Sequence, residues 1–140
     1  SPNYPNRRCP DVCGLVGMKP KAAYIMLPVE PKDEIDIGLS AGGVAFPNGD
    51  ETAPNDGWAA FSGTSAAAPQ LAGVCALIKQ VRPALTPFQI REILKKSARD
   101  VTSGNCNTAS TGAAATVGAD IATGAGLVDA YAAVQLALTF

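Results

Sequence analysis

The chain has 140 residues, of which 47% are hydrophobic and 16% are charged, and its formal net charge is -1. A chain so apolar and so weakly charged has ample material for a core, and disorder is not expected. The near-neutral charge without a long basic run argues against a nucleic-acid surface, and no apolar run reaches the roughly 20 residues of a membrane span. Histidine is absent, so a Ser-His-Asp triad cannot be completed within this chain.

The N-terminal part of the chain predicts short strands separated by turns. Residues 11–16 and 22–27 are typical of strands, and prolines punctuate them. The stretch 29–36 contains an acidic cluster, which is more typical of a solvated turn than of a metal site. Two signals typical of hairpins follow, Gly42-Gly43 and Asn48-Gly49-Asp50.

Helical patterns begin at Ser65. The segment from Ser65 to Lys79 is apolar on nearly every face, which predicts a helix buried in the middle of a domain. A second helix is predicted to begin at Thr86. Thr86 is a good N-cap, Pro87 suits the first helical position, and Gln89 can close a capping box.

The C-terminal third predicts a loop followed by one more helix. The loop covers residues 102–118, and the helix runs from about Leu127 to Leu138. A buried helix flanked by strands and further helices indicates an α/β fold. Because too few strands are present to cover so apolar a helix, we expect another chain or segment to complete the sheet. The opening Ser1-Pro2 is neither a methionine nor a signal peptide, so we expect a processed or nicked product.

The four cysteines do not form paired C-x-x-C units, which argues against zinc. Cys75 lies in an apolar run, and this favours a buried free thiol. The other three, Cys9, Cys13 and Cys106, could form disulfides in a secreted protein. Since three thiols cannot pair evenly, one of them could reach a cysteine outside this chain.

The segment Gly63-Thr64-Ser65 carries the clearest chemical signal. Gly63 permits a tight approach, and Ser65 falls at the start of the predicted helix. The N-terminus of a helix presents free N–H groups and a partial positive charge. The Ser65 N–H could therefore stabilise a developing oxyanion. For an isolated Gly-Thr-Ser the simpler interpretation would be that one of these hydroxyls caps the helix.

The longer string resembles the nucleophile motif of the subtilisin-like serine proteases, the subtilases, whose pattern is G-T-S-x-A-x-P-x-x-A-G. The matching residues are Gly63, Thr64, Ser65, Ala67, Pro69, Ala72 and Gly73. Three further segments resemble the family: 4–12, 82–86 and 123–130. The resemblance implies that residues 1–140 form the C-terminal part of a single peptidase catalytic domain. It implies an α/β subtilisin-like fold with a central buried helix starting at the nucleophile and a sheet completed by a missing N-terminal part.

The resemblance also implies a secreted serine endopeptidase that acts on polypeptides. Ser65 would attack the scissile carbonyl and form an acyl-enzyme, while Thr64 and Gly63 would line the substrate site. The missing N-terminal part would supply a histidine base, its aspartate and a second oxyanion donor, so this chain alone is expected to be inactive. Two alternatives remain open: a sedolisin-type peptidase with a Glu/Asp base, and an inactive subtilase-like binding module.

Some features resemble the sedolisins, which bind calcium through an Asp-Ile or Asp-Val pair and a second aspartate about twenty residues later. Here Asp100-Val101 follows the second predicted helix, and Asp120 lies twenty positions after Asp100. The resemblance implies a structural calcium site formed by these carboxylates and by backbone carbonyls near Thr116 and Gly118. Such oxygen ligands suit calcium. The alternative is that both aspartates cap turns at the surface.

Overall fold

The computed structural model describes residues 9–17, 25–42, 49–106 and 112–140. These residues fall into two units. One unit is Leu15–Ala66, and the other combines the residues up to Gly14 with Ala67–Phe140. None of the helices formed by the described residues has both the length and the apolarity of a membrane span.

The unit Leu15–Ala66 contains two strands and a helix. Strand β1 is Ile25–Pro28, helix α1 is Glu34–Ser40, and strand β2 is Trp58–Phe61. The strands pair antiparallel, with Ile25 opposite Phe61. The strand predicted over 22–27 is confirmed for 25–27, and its first residues lie outside the described part of the chain. The hairpins predicted near Gly42-Gly43 and Asn48-Gly49-Asp50 fall partly on residues outside that part as well.

Helix α1 was not expected from the acidic cluster. Asp33 is its N-cap and accepts a hydrogen bond from the Ile35 N–H at 3.3 Å. Glu34 and Asp36 lie in the first turn, where negative charge is favourable because the N-terminus of a helix carries partial positive charge. Among the described residues, no group of three or more His, Cys, Asp or Glu side chains could hold a metal ion. Asp33, Glu34 and Asp36 of the acidic cluster thus form the start of helix α1.

The second unit is built on three helices. Helix α2 is Thr64–Val81, α3 is Pro87–Ser97 and α4 is Ala130–Thr139. The predicted capping box of α3 is confirmed: the Thr86 hydroxyl accepts from the Gln89 N–H, and the Gln89 side chain accepts from the Thr86 N–H at 2.8 Å. The core consists of six buried side chains: Ile78, Leu85, Ile93, Leu94, Ala133 and Ala137.

The predicted helix at Ser65 is confirmed as α2, but this chain buries little of it. Ala66 and Ile78 are its buried residues, while Leu77 is 46% exposed. Ala72, Gly73 and Ala76 are exposed as well. The apolar residues that predicted an all-round buried helix therefore leave an uncovered face within the described part of the chain.

The strand predicted over 11–16 is wrong. Of these residues only Cys13 takes part in a β-bridge, which is parallel and joins it to Leu127. Leu127 also exchanges two backbone hydrogen bonds with Arg99, each of 2.8 Å. Three segments distant in sequence thus meet at Leu127. For the same reason α4 begins later than predicted: residues 127 and 128 are engaged in this pairing, and Asp129 becomes the N-cap.

Candidate active site

A strand, a tight turn and a helix place the predicted nucleophile. Strand β2 ends at Phe61, and the Ser62 hydroxyl then donates to the Gly17 carbonyl at 2.5 Å. Gly63 follows with a φ of 107°, a backbone conformation that favours glycine. Helix α2 begins at the next residue, Thr64. The turn at Gly63 therefore converts the end of β2 directly into the first turn of α2.

Ser65 is the second residue of α2 and is exposed. In the part of the chain that the structure describes, no hydrogen bond occupies its hydroxyl. The N–H groups in the first turn of a helix have no partner within the helix. The neighbouring Ala66 N–H donates to the Gly63 carbonyl at 3.0 Å. The Ser65 hydroxyl and N–H thus lie together at the positive end of an 18-residue helix.

The simpler interpretation, that one of these hydroxyls caps the helix, stays a prediction. The Ser62 hydroxyl donates to Gly17.

Small residues and a proline shape the surroundings of Ser65. Ala66, Ala67 and Ala68 follow it directly. Pro69 lies within α2 four residues after Ser65, and proline has no N–H to donate to that carbonyl. The Ser65 carbonyl thus lacks its usual helical donor. Ser65 is therefore flanked along the helix by small side chains and by a proline.

Comparison with known sequences identifies the chain. Residues 29–121 match the sequence model of the subtilase family. This chain belongs to the subtilase family. The matched region contains the Gly63-Thr64-Ser65 turn and all of α2 and α3. The fold class is α/β, as expected for part of a subtilase.

Individual relatives of this subtilase are proteases. Over 50 residues it is 48% identical to alkaline elastase YaB of Bacillus sp. (strain YaB), covering 36% of this chain and 13% of the relative. Over 95 residues it is 40% identical to an extracellular protease of Xanthomonas campestris pv. campestris, covering 65% of this chain and 13% of the relative. Among solved structures, fervidolysin from Fervidobacterium pennivorans matches with a TM-score of 0.49 and 28% identity, over 81% of this chain and 14% of that one. The chain therefore spans less than a quarter of the length of each of these relatives.

Two buried aspartates precede the candidate nucleophile in the sequence of this subtilase, and the sequence analysis did not identify either of them as buried. Asp36 is fully buried and accepts hydrogen bonds from the N–H groups of Lys32, Asn55 and Gly57 at 3.1–3.2 Å. No sequence pattern marks this role, because two of the three donors lie 19 and 21 residues away.

Asp50 is the second buried aspartate and is 5% exposed. One carboxylate oxygen accepts from the Ala60 N–H at 2.8 Å. The other accepts from the Thr52 N–H at 3.0 Å and from the Thr52 hydroxyl at 2.5 Å. Desolvation raises the pKa of Asp50, but the hydrogen bonds from Thr52 and Ala60 outweigh it and leave the pKa below its ordinary value. Asp50 is therefore an ionised carboxylate that is hydrogen-bonded to the backbone of β2.

The residues predicted to bind calcium share one loop. The Gly118 N–H donates to Asp100 at 2.8 Å, and the Thr116 N–H donates to Asp120 at 2.7 Å. Asp120 also accepts from the N–H and hydroxyl of Thr123 at 2.8 and 3.0 Å. The hydrogen bond from Thr116, followed by that from Thr123, lowers the pKa of Asp120. The contacts of Asp120 are those of a turn-capping aspartate, whereas Asp100 accepts from a residue 18 positions away.

All four cysteines are free within this chain. Cys75 was predicted to be buried, but it is only partly so and lines a cavity of about 550 Å³ between α2 and α3. Burial raises the pKa of its thiol. The cavity is lined mainly by apolar side chains that include Leu71, Ile90 and Leu94, and Ser65 is not among them.

Proposed function

We propose that this subtilase chain is the C-terminal part of a secreted serine endopeptidase, with Ser65 as its nucleophile. The observation that carries the proposal is the position of Ser65: its hydroxyl is exposed directly after the Gly63 turn, in the first turn of α2. The naming of one relative as an extracellular protease supports secretion. A serine hydroxyl at the positive end of a helix is suited to peptide-bond hydrolysis, which supports the proposed reaction.

In this proposal the Ser65 oxygen attacks the carbonyl carbon of a peptide bond and passes its proton to a base. The carbonyl oxygen becomes an oxyanion, which the Ser65 N–H and the positive end of α2 stabilise. The C–N bond then breaks, the base returns the proton to the leaving amine, and water hydrolyses the acyl-enzyme. Gly63 and Thr64, both exposed beside Ser65, line the substrate site.

The base and the second oxyanion donor come from the remainder of the catalytic domain. Two observations support this partner. The chain contains no histidine, and it spans only 13% of each of its two relatives described above. The exposed apolar face of α2 and the cavity beside Cys75 are surfaces that the remainder of the domain would cover. Nucleic acid and membranes are not among the proposed partners.

A serine-directed fluorophosphonate probe, applied to the complete peptidase, tests the proposal. The probe should label the wild-type enzyme at Ser65, and Ser65→Ala should abolish both labelling and peptide hydrolysis. Ser103→Ala is the matched control, because Ser103 is an exposed serine in a loop outside the motif. Near-normal turnover in Ser65→Ala would overturn the assignment. Absence of labelling in a folded wild-type enzyme would favour the inactive binding module.

The pH dependence of hydrolysis distinguishes the two candidate bases. With a histidine base, kcat/KM should rise through about pH 6 to 7 and stay high above it. A carboxylate base of the sedolisin type would give an optimum below about pH 5. We propose the histidine base, because the segment 123–130 resembles the closing segment of the subtilases.

We also propose that the loop near Asp120 binds a structural calcium ion. The carboxylates of Asp100 and Asp120 would hold it, together with backbone carbonyls of Val101, Thr116 and Gly118. Both carboxylates accept hydrogen bonds from N–H groups of this loop, and an ion bound only by the folded state would stabilise that state by mass action. Chelation should then lower the melting temperature, and Asp120→Ala should lower it and make chelation harmless. A chelator that leaves wild-type melting unchanged would show that both aspartates only cap turns.

A further inference from the structure

Strand β2 delivers the nucleophile turn, and a carboxylate holds it in addition to its partner strand. Ala60 is opposite Met26 in the pairing with β1. Alternate N–H groups of an antiparallel strand point away from the partner strand. The Ala60 N–H donates to Asp50 at 2.8 Å. Asp50 therefore occupies the place that the backbone carbonyl of a further strand would take.

The position of Asp50 is itself fixed by helix α1. The Asp50 N–H donates to the Leu39 carbonyl at 3.1 Å. The preceding Gly49 has a φ of 75°, and a Cβ there would overlap the Ser40 carbonyl, so the backbone approaches the end of α1 more closely than a side chain would allow. The position of the carboxylate is thus determined by α1, and Ala60 in turn is held by the carboxylate.

Asp36, like Asp50, accepts a hydrogen bond from a backbone N–H near the start of β2. It lies in α1 and accepts from the N–H of Gly57, the residue directly before β2. Among the described residues, Asp36 and Asp50 are the buried polar or charged side chains. Both bind backbone N–H groups of the segment that leads into Ser65.

An ionised group at position 50 does what a neutral amide could not. Each Asp50 oxygen accepts hydrogen bonds, one from Ala60 and the other from Thr52. In an asparagine, one of these oxygens would become an NH₂ group facing an N–H or hydroxyl donor. Burying a carboxylate is costly unless such charge-assisted hydrogen bonds are made. The hydrogen bonds from Thr52 and Ala60 offset this cost, and the bond from Ala60 also holds β2 in place.

We infer that Asp50 is a positioning residue for Ser65. Through the Ala60 N–H it fixes the path of β2, and the turn at Gly63 transmits that path to the Ser65 hydroxyl five residues farther along. The inference rests on the proposed function. A small displacement of a nucleophile lowers the rate of the chemical step far more than it lowers substrate affinity.

The test is active-site titration of the complete peptidase with a fluorophosphonate, followed by kcat and KM for each titrated site. Asp50→Asn should lower kcat per titrated site by about 10- to 100-fold with KM little changed. Thr52→Val, which removes one donor to Asp50, should give a smaller loss of the same kind, and Thr52→Ser should restore kcat. Asp33→Asn is the control, since it also removes a carboxylate from this unit while asparagine remains a good N-cap.

Three results decide the inference. A lower fraction of titratable sites with kcat per site unchanged would overturn it, because Asp50 would then only stabilise the fold. If Asp50→Asn fails to fold, the Thr52 pair decides, with unchanged kcat in Thr52→Val overturning it. A folded wild-type enzyme that does not react with the probe would overturn the proposed function first, whatever the variants do.

Discussion

A methyl group added at Gly126 should destabilise the second unit by breaking the backbone pairing at Leu127. Gly126 is buried with a φ of 113°. A Cβ built on it would overlap the Arg99 carbonyl oxygen and lie 2.8 Å from the Arg99 carbonyl carbon. The obstacle is backbone, so it cannot rotate away as a flexible side chain could. Gly126→Ala therefore forces the segment at Arg99 to move.

The magnitude follows from a comparison with Gly104. That residue has nearly the same φ, 112°, but a Cβ there would meet nothing within 4 Å. Backbone strain, of order 1–3 kcal/mol, is common to Gly104→Ala and Gly126→Ala. Only Gly126→Ala also displaces Arg99, which exchanges two hydrogen bonds with Leu127. At about 1 kcal/mol for each bond, Gly126→Ala should lower the free energy of unfolding by about 2 kcal/mol more than Gly104→Ala.

Urea unfolding of the complete peptidase measures this difference. Both alanines are placed in a Ser65→Ala background so that autolysis does not interfere. The expected result is a lower midpoint for Gly126→Ala than for Gly104→Ala at an equal slope m. Equal midpoints would refute the reasoning, because they would show that φ strain alone determines the loss and that the Arg99 pairing contributes nothing.

Two further predictions concern local hydrogen bonds. Thr86→Ala should lower the free energy of unfolding by about 1 kcal/mol, since it removes the capping box with Gln89, and Thr86→Ser should recover most of that in urea titrations; a loss that serine does not recover would contradict the cap. Asp50 has a folded-state pKa below its unfolded value of about 3.9, so its stabilisation is complete above that pH and is lost as the pH falls through the folded pKa. The difference in unfolding free energy between wild type and Asp50→Asn should therefore be constant above about pH 5 and shrink below about pH 4, and a difference that grows on acidification would count against it.

The features that the sequence predicted correctly are those determined by near neighbours. The α3 capping box is formed by Thr86, Pro87 and Gln89, which lie within four consecutive positions. Helix α2 follows from a continuous apolar run. The role of Ser65 as nucleophile, which was inferred from the contiguous residues of its motif, stays a prediction. Interactions over three or four residues form without reference to the rest of the chain, so they can be recognised in the sequence alone.

The errors arose where the partner of a residue is distant along the chain. Leu127 pairs through its backbone with Cys13 and with Arg99. Backbone pairing between irregular segments has no side-chain pattern from which it could be predicted. This pairing decided that 11–16 is not a strand and that α4 starts later than predicted.

The two buried aspartates also have binding partners that are distant along the chain, so the sequence did not predict their burial. An acidic residue in a turn-rich segment is usually solvated, and on that basis the cluster containing Asp36 was interpreted as a surface turn. The Gly57 N–H that binds Asp36 lies 21 residues away, and the Ala60 N–H that binds Asp50 lies 10 residues away. The sequence by itself determined which residue is the candidate nucleophile. Only the tertiary structure decided which carboxylates hold the strand before it, because burial and hydrogen-bond geometry depend on how distant segments pack together.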